Sequence, residues 1–592
     1  MRITRLSLTN FRSFKDTQTI DFAPVTLLFG PNSVGKSTVL MALFYLQQIL
    51  DKGQCNPMRL EALGNKYIGG FKNLVNGRDL TKSITIRVDY DKQGAIGSTY
   101  GKTTSAIAES RGLMELPIMM QDQALLTEKV GLEFVISWSK PKNTAFVEKV
   151  RFWLNELYLG ETSCDEGLKN PLISHIDFSN PLLLPSMHDE WLFEKYEVGS
   201  EHLSSRWADS MGFGERGFGQ DFTDHFSDDG LVSQLDEILG REITYGLEGI
   251  AGAVPKPGQV LETSMSLDDA FTTMILHEAF SEVFVSPIDN LLKILNGSIC
   301  IGPLRCIPDA NYQPNQYPAQ ADWYDGTAAW DEISSPDLLR DTSINKWLKD
   351  EDKLNIGYRI VYMVEETEAR FVQPTLSIEK PDDALALHDA LGEQLKLSVS
   401  KEQLKKNKSV KEIALSNEDL EEIRKDKGPN SLLYISQNSN KVTKVTLWDA
   451  HNNIPVTSSE VGVGISQLFP LVVASQANKK GIIACEQPEL HVHPRIQVAI
   501  GDLLTQTCNN KQYLIETHSE HLVLRVLRRI RETSSGTLAD GFTAVNADNL
   551  SVIYLDSSDN GVIAQKFEIE PDGDFSNDWP HGFFEERDEE LF

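Results

Sequence analysis

Near the start of the chain Ile3, Leu6 and Leu8 are separated by polar residues, the period of two that marks a half-buried strand. Val25-Thr26-Leu27-Leu28-Phe29 then runs apolar almost without interruption, as a strand covered on both faces does. A glycine-rich turn follows, and the pattern predicts a helix from residue 37 to about residue 50. Ile84-Thr85-Ile86-Arg87-Val88 predicts another strand. From about residue 105 to residue 296 this rhythm is lost. Helical patterns at 231–239 and 270–284 lie among loops rich in Gly, Ser and Asp, which predicts an inserted, largely helical domain. The rhythm returns at Ser298-Ile299-Cys300-Ile301-Gly302-Pro303-Leu304-Arg305, and residues 360–364 form a further strand candidate. Residues 401–427 are rich in charge and predict a solvated helix or linker whose basic start is a candidate contact. Beyond residue 431 the pattern is strongly α/β, with strands expected at 444–448, 481–485, 512–515 and 550–555. The expected fold class is α/β, divided as 1–104, an insert 105–296, a return segment with charged linker 297–430, and 431–592. No internal repeat or low-complexity tract interrupts it.

A length of 592 residues suggests three or four folding units. Lys plus Arg number 56 against 86 Asp plus Glu, a net charge of −30. That balance argues against a chain coated in basic surface for gripping DNA, and leaves a local basic groove open. The six cysteines (55, 164, 300, 306, 485 and 508) form no C-x-x-C pair and read as reduced thiols. The N-terminus lacks the apolar core of a signal peptide, and no run of about 18 apolar residues occurs. These features lead us to expect a soluble, cytoplasmic protein.

The strongest chemical signal is Gly30-Pro31-Asn32-Ser33-Val34-Gly35-Lys36-Ser37-Thr38. It satisfies G-x-x-x-x-G-K-[ST] at every fixed position and lies between an apolar strand and a helix, the context that separates a phosphate-binding loop from a chance glycine turn. The glycines let backbone N–H groups curl around phosphates. Lys36 is placed to neutralise the β and γ phosphates of ATP, and Ser37 to offer its hydroxyl to Mg²⁺. Such a loop needs an acid at the end of a neighbouring strand, and Gly481-Ile482-Ile483-Ala484-Cys485-Glu486 supplies one. An apolar run ending in Glu is common by itself. Here Gln487-Pro488-Glu489-Leu490-His491-Val492-His493-Pro494 follows it, and a second apolar strand ends in Ile515-Glu516-Thr517-His518-Ser519. Upstream, Glu460-Val461-Gly462-Val463-Gly464-Ile465-Ser466-Gln467 is a glycine turn opening an apolar helix, another arrangement suited to phosphate.

In their order these segments resemble ABC-type ATPases of the chromosome-maintenance, recombination-repair and overcoming-lysogenization-defect groups. The wording GPNSVGKST, VGVGISQLFPLV, EQPELHVHP and ETHSEHLVLR is similar to the bacterial AAA-type subgroup of anti-phage systems, including the ATPase subunit of Septu-like systems. The segment Asp578-Trp579-Pro580-His581-Gly582-Phe583-Phe584-Glu585 resembles a tail of the same subgroup. The resemblance covers roughly residues 1–100 and 300–592. It implies a P-loop ATPase head split by the insert, with the phosphate loop in residues 1–104 and the signature, Walker B and switch elements in 431–592. Residues 30–38 bind ATP in this reading, with Ser37 and Glu486 on Mg²⁺. Gly462, Gly464 and Ser466 touch the γ-phosphate held by a second copy, His518 is the switch histidine, and His493 falls in the loop that crosses the dimer interface. No glutamine matches the usual Q-loop, and residues 70–72 are the stand-in. The resemblance further implies a homodimer or higher homo-oligomer that controls a separate effector, an HNH-type nuclease. Direct action on DNA, as in repair, and an ATP-gated scaffold remain alternatives.

One departure bears on mechanism. Where related ATPases place a catalytic Glu directly after the Walker B acid, this chain has Gln487, whose carboxamide cannot accept a proton as a general base. Either Glu489 or His518 takes that role, or hydrolysis is slow and the ATP-bound dimer long-lived; we favour slow hydrolysis over none. The pairs His491/His493 and His518/His521 also raise a metal site, although the ATPase reading already explains two of the four. Arg525, Arg528, Arg529 and Arg531 form a basic cluster for which ion pairing with neighbouring acids is favoured over a phosphate-backbone contact. Arg305 is a candidate for the nucleotide site or for a buried structural pairing.

Overall fold

The computed structural model describes residues 1–32, 34–100, 127–177, 245–264, 274, 277–278, 280–309, 312–334, 343–366, 375–377, 412–414, 435–436, 441–457, 460–477, 480–558 and 561–576. Ser33, the helical pattern at 231–239, most of the charged stretch 401–427 and the segment 578–585 lie outside them. The chain divides into two units, residues 1–359 with 456–592, and residues 360–455.

In the larger unit the uninterrupted apolar runs become the centre of a six-stranded sheet. Strand β3 (Val25–Phe29), β11 (Ile482–Glu486) and β12 (Gln512–Glu516) are buried at every position. With β10 (Ile299–Ile301), β13 (Leu550–Ser558) and β14 (Gly561–Phe567) they lie in the order β10-β11-β12-β3-β13-β14. The first five are parallel and only β14 runs antiparallel. Parallel strands need both faces covered, which explains why these segments read as apolar rather than alternating. The register sets Glu486 opposite Glu516, and Glu516 opposite Leu28, two residues before the glycine loop. The loop and both carboxylates therefore leave the sheet at its C-terminal edge, where open α/β sheets bind ligands.

The second sheet is antiparallel and eight-stranded. It contains β1 (Arg2–Thr9), β2 (Gln18–Asp21), β4 (Ile84–Asp91), β5 (Lys129–Ser139), β6 (Thr144–Leu154), β7 (Leu157–Ser163), β8 (Leu172–Ile176) and β9 (Tyr245–Gly246), in the order β9-β8-β7-β6-β5-β4-β1-β2. Alternation is clearest in Ile84–Asp91, where Ile84, Ile86, Val88 and Tyr90 are buried and their neighbours are not. Residues 129–176, expected within a largely helical insert, are thus four strands that extend the N-terminal sheet. Val130, Leu132, Phe134 and Ile136 recur at period two and are buried, the spacing of a strand rather than a helix. Helix does appear later in that stretch: a π-helical turn at Ser281–Val285 leads into a helix over Ser286–Gly297 whose apolar face joins the core.

The helix α1 (Lys36–Lys52) opens on Gly35 and closes on Gly53, both with positive φ. Past Ser286–Gly297 (α2), short helices α3 (Thr327–Glu332) and α4 (Ser343–Lys349) precede α5 (Val463–Gln476), α6 (Pro494–Thr507) and α7 (Glu520–Ser534). Strands Tyr358–Glu366, Lys441–Asp449 and Ile454–Val456, all but their outermost residues in the smaller unit, form one sheet, and in another Thr375–Ser377 lies between Glu412–Ala414 and Ile435–Ser436. Among the described residues no helix is long and apolar enough to cross a membrane.

Candidate functional site

The glycine loop is tied down where only glycine fits. Gly30 has φ +134°, and a Cβ there would lie 2.0 Å from the Leu555 carbonyl oxygen of β13. Gly35, at φ +113°, caps α1 where a Cβ would meet the Ser13 hydroxyl at 2.3 Å. Any other residue would clash or strain at both. Lys36 is 3% exposed, and its Nζ donates to the Gly30 and Pro31 carbonyls, each at 2.8 Å. Burial lowers its pKa, while the charges of Glu516 and then Glu489 oppose that shift. The ammonium thus rests on the loop's own backbone, within electrostatic reach of two carboxylates.

Ser37, first residue after that lysine, is where the strands converge. Its Oγ lies 3.0 Å from Glu486 Oε2 and 2.7 Å from Glu516 Oε2. The parallel register of β11 and β12 brings the two acids together, and both are buried, at 6% and 7% exposure. Burial is the main cause that raises the Glu516 pKa; the Ser37 hydrogen bond opposes it and the Glu486 charge adds to it. On its other oxygen Glu486 accepts a hydrogen bond from the Tyr324 hydroxyl (3.3 Å) and faces Lys66 Nζ at 4.0 Å. Lys66 in turn donates to the Tyr324 oxygen at 3.2 Å. Burial, then the Glu486 charge, pushes the Tyr324 pKa up, so its phenol remains a donor.

Gln487 turns the chain out of β11. Its φ is +48°, and its N–H donates to the Glu516 carbonyl at 2.7 Å. The backbone of the departing residue is therefore locked to the neighbouring strand. Glu489 then folds back, its Oε1 accepting from the His518 backbone N–H at 2.7 Å. Burial pushes the Glu489 pKa up and, with the Lys36 charge adding to it, that of His518 down. The shielded Nε2 of His518 has no hydrogen-bond partner. An orphaned nitrogen within electrostatic reach of the Lys36 charge suits a phosphate oxygen arriving from outside the chain.

The structure brings Lys36, Ser37, Glu486, Glu489 and His518 to one edge, with Gln487 beside them. Pro31 and Asn32 are exposed on the loop, and Thr38 is buried at the start of α1. The signature residues divide. Gly462 caps α5 with open space around it, and Val463 is 53% exposed. Gly464 packs on the next loop, since a Cβ there would lie 2.2 Å from the His491 carbonyl oxygen. Ser466, by contrast, is 1% exposed, on the inward face of α5. A helix presents only its first residues to an incoming phosphate, so among the signature residues 462–464 are the ones placed for such a contact.

The remaining candidate side chains make contacts within the chain. His493 caps α6, its Nδ1 accepting from the Arg495 N–H at 3.2 Å. Phe71 of the 70–72 stand-in is fully buried, and Lys66 reaches the carboxylate edge instead. The guanidinium of Arg305 bonds to the carbonyls of Gly302 (2.9 Å), Gln467 (2.5 Å) and Glu486 (2.7 Å), and so clamps α5 to the end of β11. The arginine cluster of α7 is consumed by ion pairs, as favoured above: Arg525 and Arg529 with Asp502, Arg528 and Arg529 with Glu532, and Arg531 with Asp574. Among the described residues no three His, Cys, Asp or Glu side chains group as metal ligands, so the histidine pairs form no such site there.

Three participants escaped the sequence reading. Glu516 ends an apolar strand just as Glu486 does, so a signal for it was present. Lys66 and Tyr324 carry none, because only the fold brings them to Glu486.

Sequence comparison places the AAA ATPase domain on residues 1–155 and 341–523, more than half of the chain. The DNA replication and repair protein RecF of Desulforamulus reducens is 42% identical over 45 residues, a match spanning 8% of this chain and 12% of that protein. Among solved structures, the SMC head domain from Thermotoga maritima aligns at 8% identity and TM-score 0.33, covering 96% of this chain and all of that one. An Smc head domain with an extended coiled coil, bound to the C-terminal domain of ScpA derived from Pyrococcus furiosus, aligns at 9% identity and TM-score 0.33, covering 96% of each.

Proposed function

The chain belongs to the family of AAA ATPase domains, and from that premise we propose that it binds ATP with Mg²⁺ and hydrolyses it slowly in a site completed by a second copy. Convergence of Ser37, Glu486 and the glycine loop carries this reading. The loop's backbone would hold the phosphates, and Lys36 would exchange the Gly30 and Pro31 carbonyls for phosphate oxygens. Ser37 and Glu486 would hold Mg²⁺, which neutralises phosphate charge when bound. Glu489 and His518 face the same edge, and Gln487 can orient water but not deprotonate it. The exposed N-terminus of α5 offers residues 462–464 to nucleotide on the second copy.

The cellular role that best suits such a slow, two-copy ATPase is a sensor in anti-phage defence that controls a separate effector, an HNH-type nuclease. The wording of the four sequence segments supports that role. Direct work on DNA in repair is the second reading, favoured by the short match to RecF. Purification from the native operon separates the two: a co-purifying nuclease supports the first, and DNA-stimulated hydrolysis with no partner the second.

The nucleotide site has its own test. Lys36→Ala should abolish binding of a fluorescent ATP analogue while leaving the melting transition in place. Undiminished binding would overturn the assignment of residues 30–38. Ser466→Arg is unsuited to testing the second copy, since that side chain is buried in its own subunit. Gly462→Arg meets no atom within 4 Å of the new Cβ. Mixed with Lys36→Ala, it should restore part of the ATPase activity through heterodimers that keep one intact site.

A further inference from the structure

Glu516 has no part in the reading above, yet it makes the shorter of the two contacts to Ser37. We infer that Glu516 is a second metal-holding carboxylate, and that Glu486, Glu516 and the Ser37 hydroxyl together bind a divalent cation, Mg²⁺ or Mn²⁺, before nucleotide arrives. The inference rests on the ATPase reading and extends it to one residue and to the order of binding.

Backbone pairing fixes the placement: Glu486 and Glu516 are register partners at the ends of fully buried parallel strands. Hydrogen-bond counting then shows what is missing. A serine hydroxyl carries one hydrogen, so Ser37 can satisfy Glu486 or Glu516 at any moment but not both. Neither loop cation closes the gap. Lys36 Nζ is held by two carbonyls, and Lys66 stands 4.0 Å away on the far oxygen of Glu486. Among the described residues no Lys or Arg nitrogen comes within 4.0 Å of the Glu516 carboxylate. Two buried acids facing one hydroxyl, with one cation at the edge of contact, form a site short of positive charge.

The donor chemistry matches a hard ion. All three donors are oxygens, and Mg²⁺ takes one or two carboxylates and completes its shell with water or substrate phosphate. With one carboxylate the ion depends on the phosphates; with two it gains a foothold on the protein alone. A purely structural Glu516, holding Ser37 by a hydrogen bond, would look the same in geometry. The isosteric Glu516→Gln separates the two, because its amide oxygen still accepts from Ser37 while the charge is gone.

The test is a Mn²⁺ titration of the full chain without nucleotide, read by electron paramagnetic resonance, in wild type, Glu486→Gln and Glu516→Gln. Wild type should show a site above the weak binding expected of an acidic surface. Each variant should weaken it at least about tenfold, the range seen when a metal ligand loses its support. Fe²⁺-generated hydroxyl radicals should cut wild type beside residues 37, 486 and 516 and spare those positions in Glu516→Gln. A Glu516→Gln titration and cleavage pattern like wild type overturns the inference, as does a wild type with no nucleotide-independent site. Binding of a fluorescent ATP analogue in EDTA, measured in parallel, reads the glycine loop alone. Its failure in wild type would count against the ATPase reading and not against the metal site.

Discussion

On the antiparallel sheet Arg151 sits between Glu133 and Glu161, Lys149 also reaches Glu161, Arg87 grips Asp89 and Arg5 holds Asp21. On the parallel sheet Glu486 and Glu516 end side by side, with a serine hydroxyl as their shared partner. One sheet pairs its charges within it, mostly across neighbouring strands, a half-exposed arrangement that demands nothing further. The other collects like charges at one buried edge. The same residue types are paired off in the first and gathered at one edge in the second, and the strand directions explain the difference. Antiparallel pairs bring residues from both ends of strands together, whereas five parallel strands direct every C-terminus to one edge.

Arg305 offers the largest expected effect, because it lies behind that edge without belonging to it. Arg305→Ala removes the donor to three buried carbonyls, each costing about 1–3 kcal/mol when left unsatisfied. A loss of about 3–5 kcal/mol in urea unfolding is expected, and ATP hydrolysis should fall with it because α5 comes loose from β11. If Arg305→Ala kept its stability and lost only ATP binding, Arg305 would belong to the site and not to its frame.

Gln487→Glu should have a smaller and opposite effect. It supplies a carboxylate beside Glu486 on a backbone already locked to Glu516. We expect single-turnover hydrolysis to rise about tenfold, equivalent to about 1.4 kcal/mol, and the ATP-bound dimer to shorten its life. A third acid also adds repulsion, so Mn²⁺ affinity must be followed in the same samples. Fast wild-type turnover, unchanged by Gln487→Glu and by Glu489→Gln, would refute a slow clock.

How legible each sheet was follows from its periodicity. The parallel strands announced themselves as apolar runs and the glycine loop, with Lys36 and Ser37, as a fixed spacing, whereas Glu486 took its weight from the segments around it and His518 from the family resemblance. The strands at 129–176 also alternate, but they lie in a stretch judged by its loops and later helical patterns, and they were missed. The burial of Ser466 was not legible, because a glycine turn shows where a helix begins but not which face its second turn buries. Lys66 and Tyr324 meet Glu486 across 420 and 162 residues of sequence, a closeness the fold creates.

Arg151 offers the smallest effect and the control for the whole comparison. Its Nη1 lies 2.5 Å from Glu133 and its Nε 3.2 Å from Glu161, with the arginine side chain 36% exposed. At that exposure water and salt screen much of the attraction, and such pairs contribute about 0.2–1 kcal/mol. Arg151→Ala leaves Lys149 on Glu161, so one of the two acids keeps a partner. The expected cost is below about 1 kcal/mol, smaller still in high salt, with nucleotide binding and hydrolysis unchanged. Thermal melts at low and high salt, paired with an ATPase assay, measure both. A cost above about 2 kcal/mol, or any change in turnover, would mean that the antiparallel sheet does more than support the nucleotide edge.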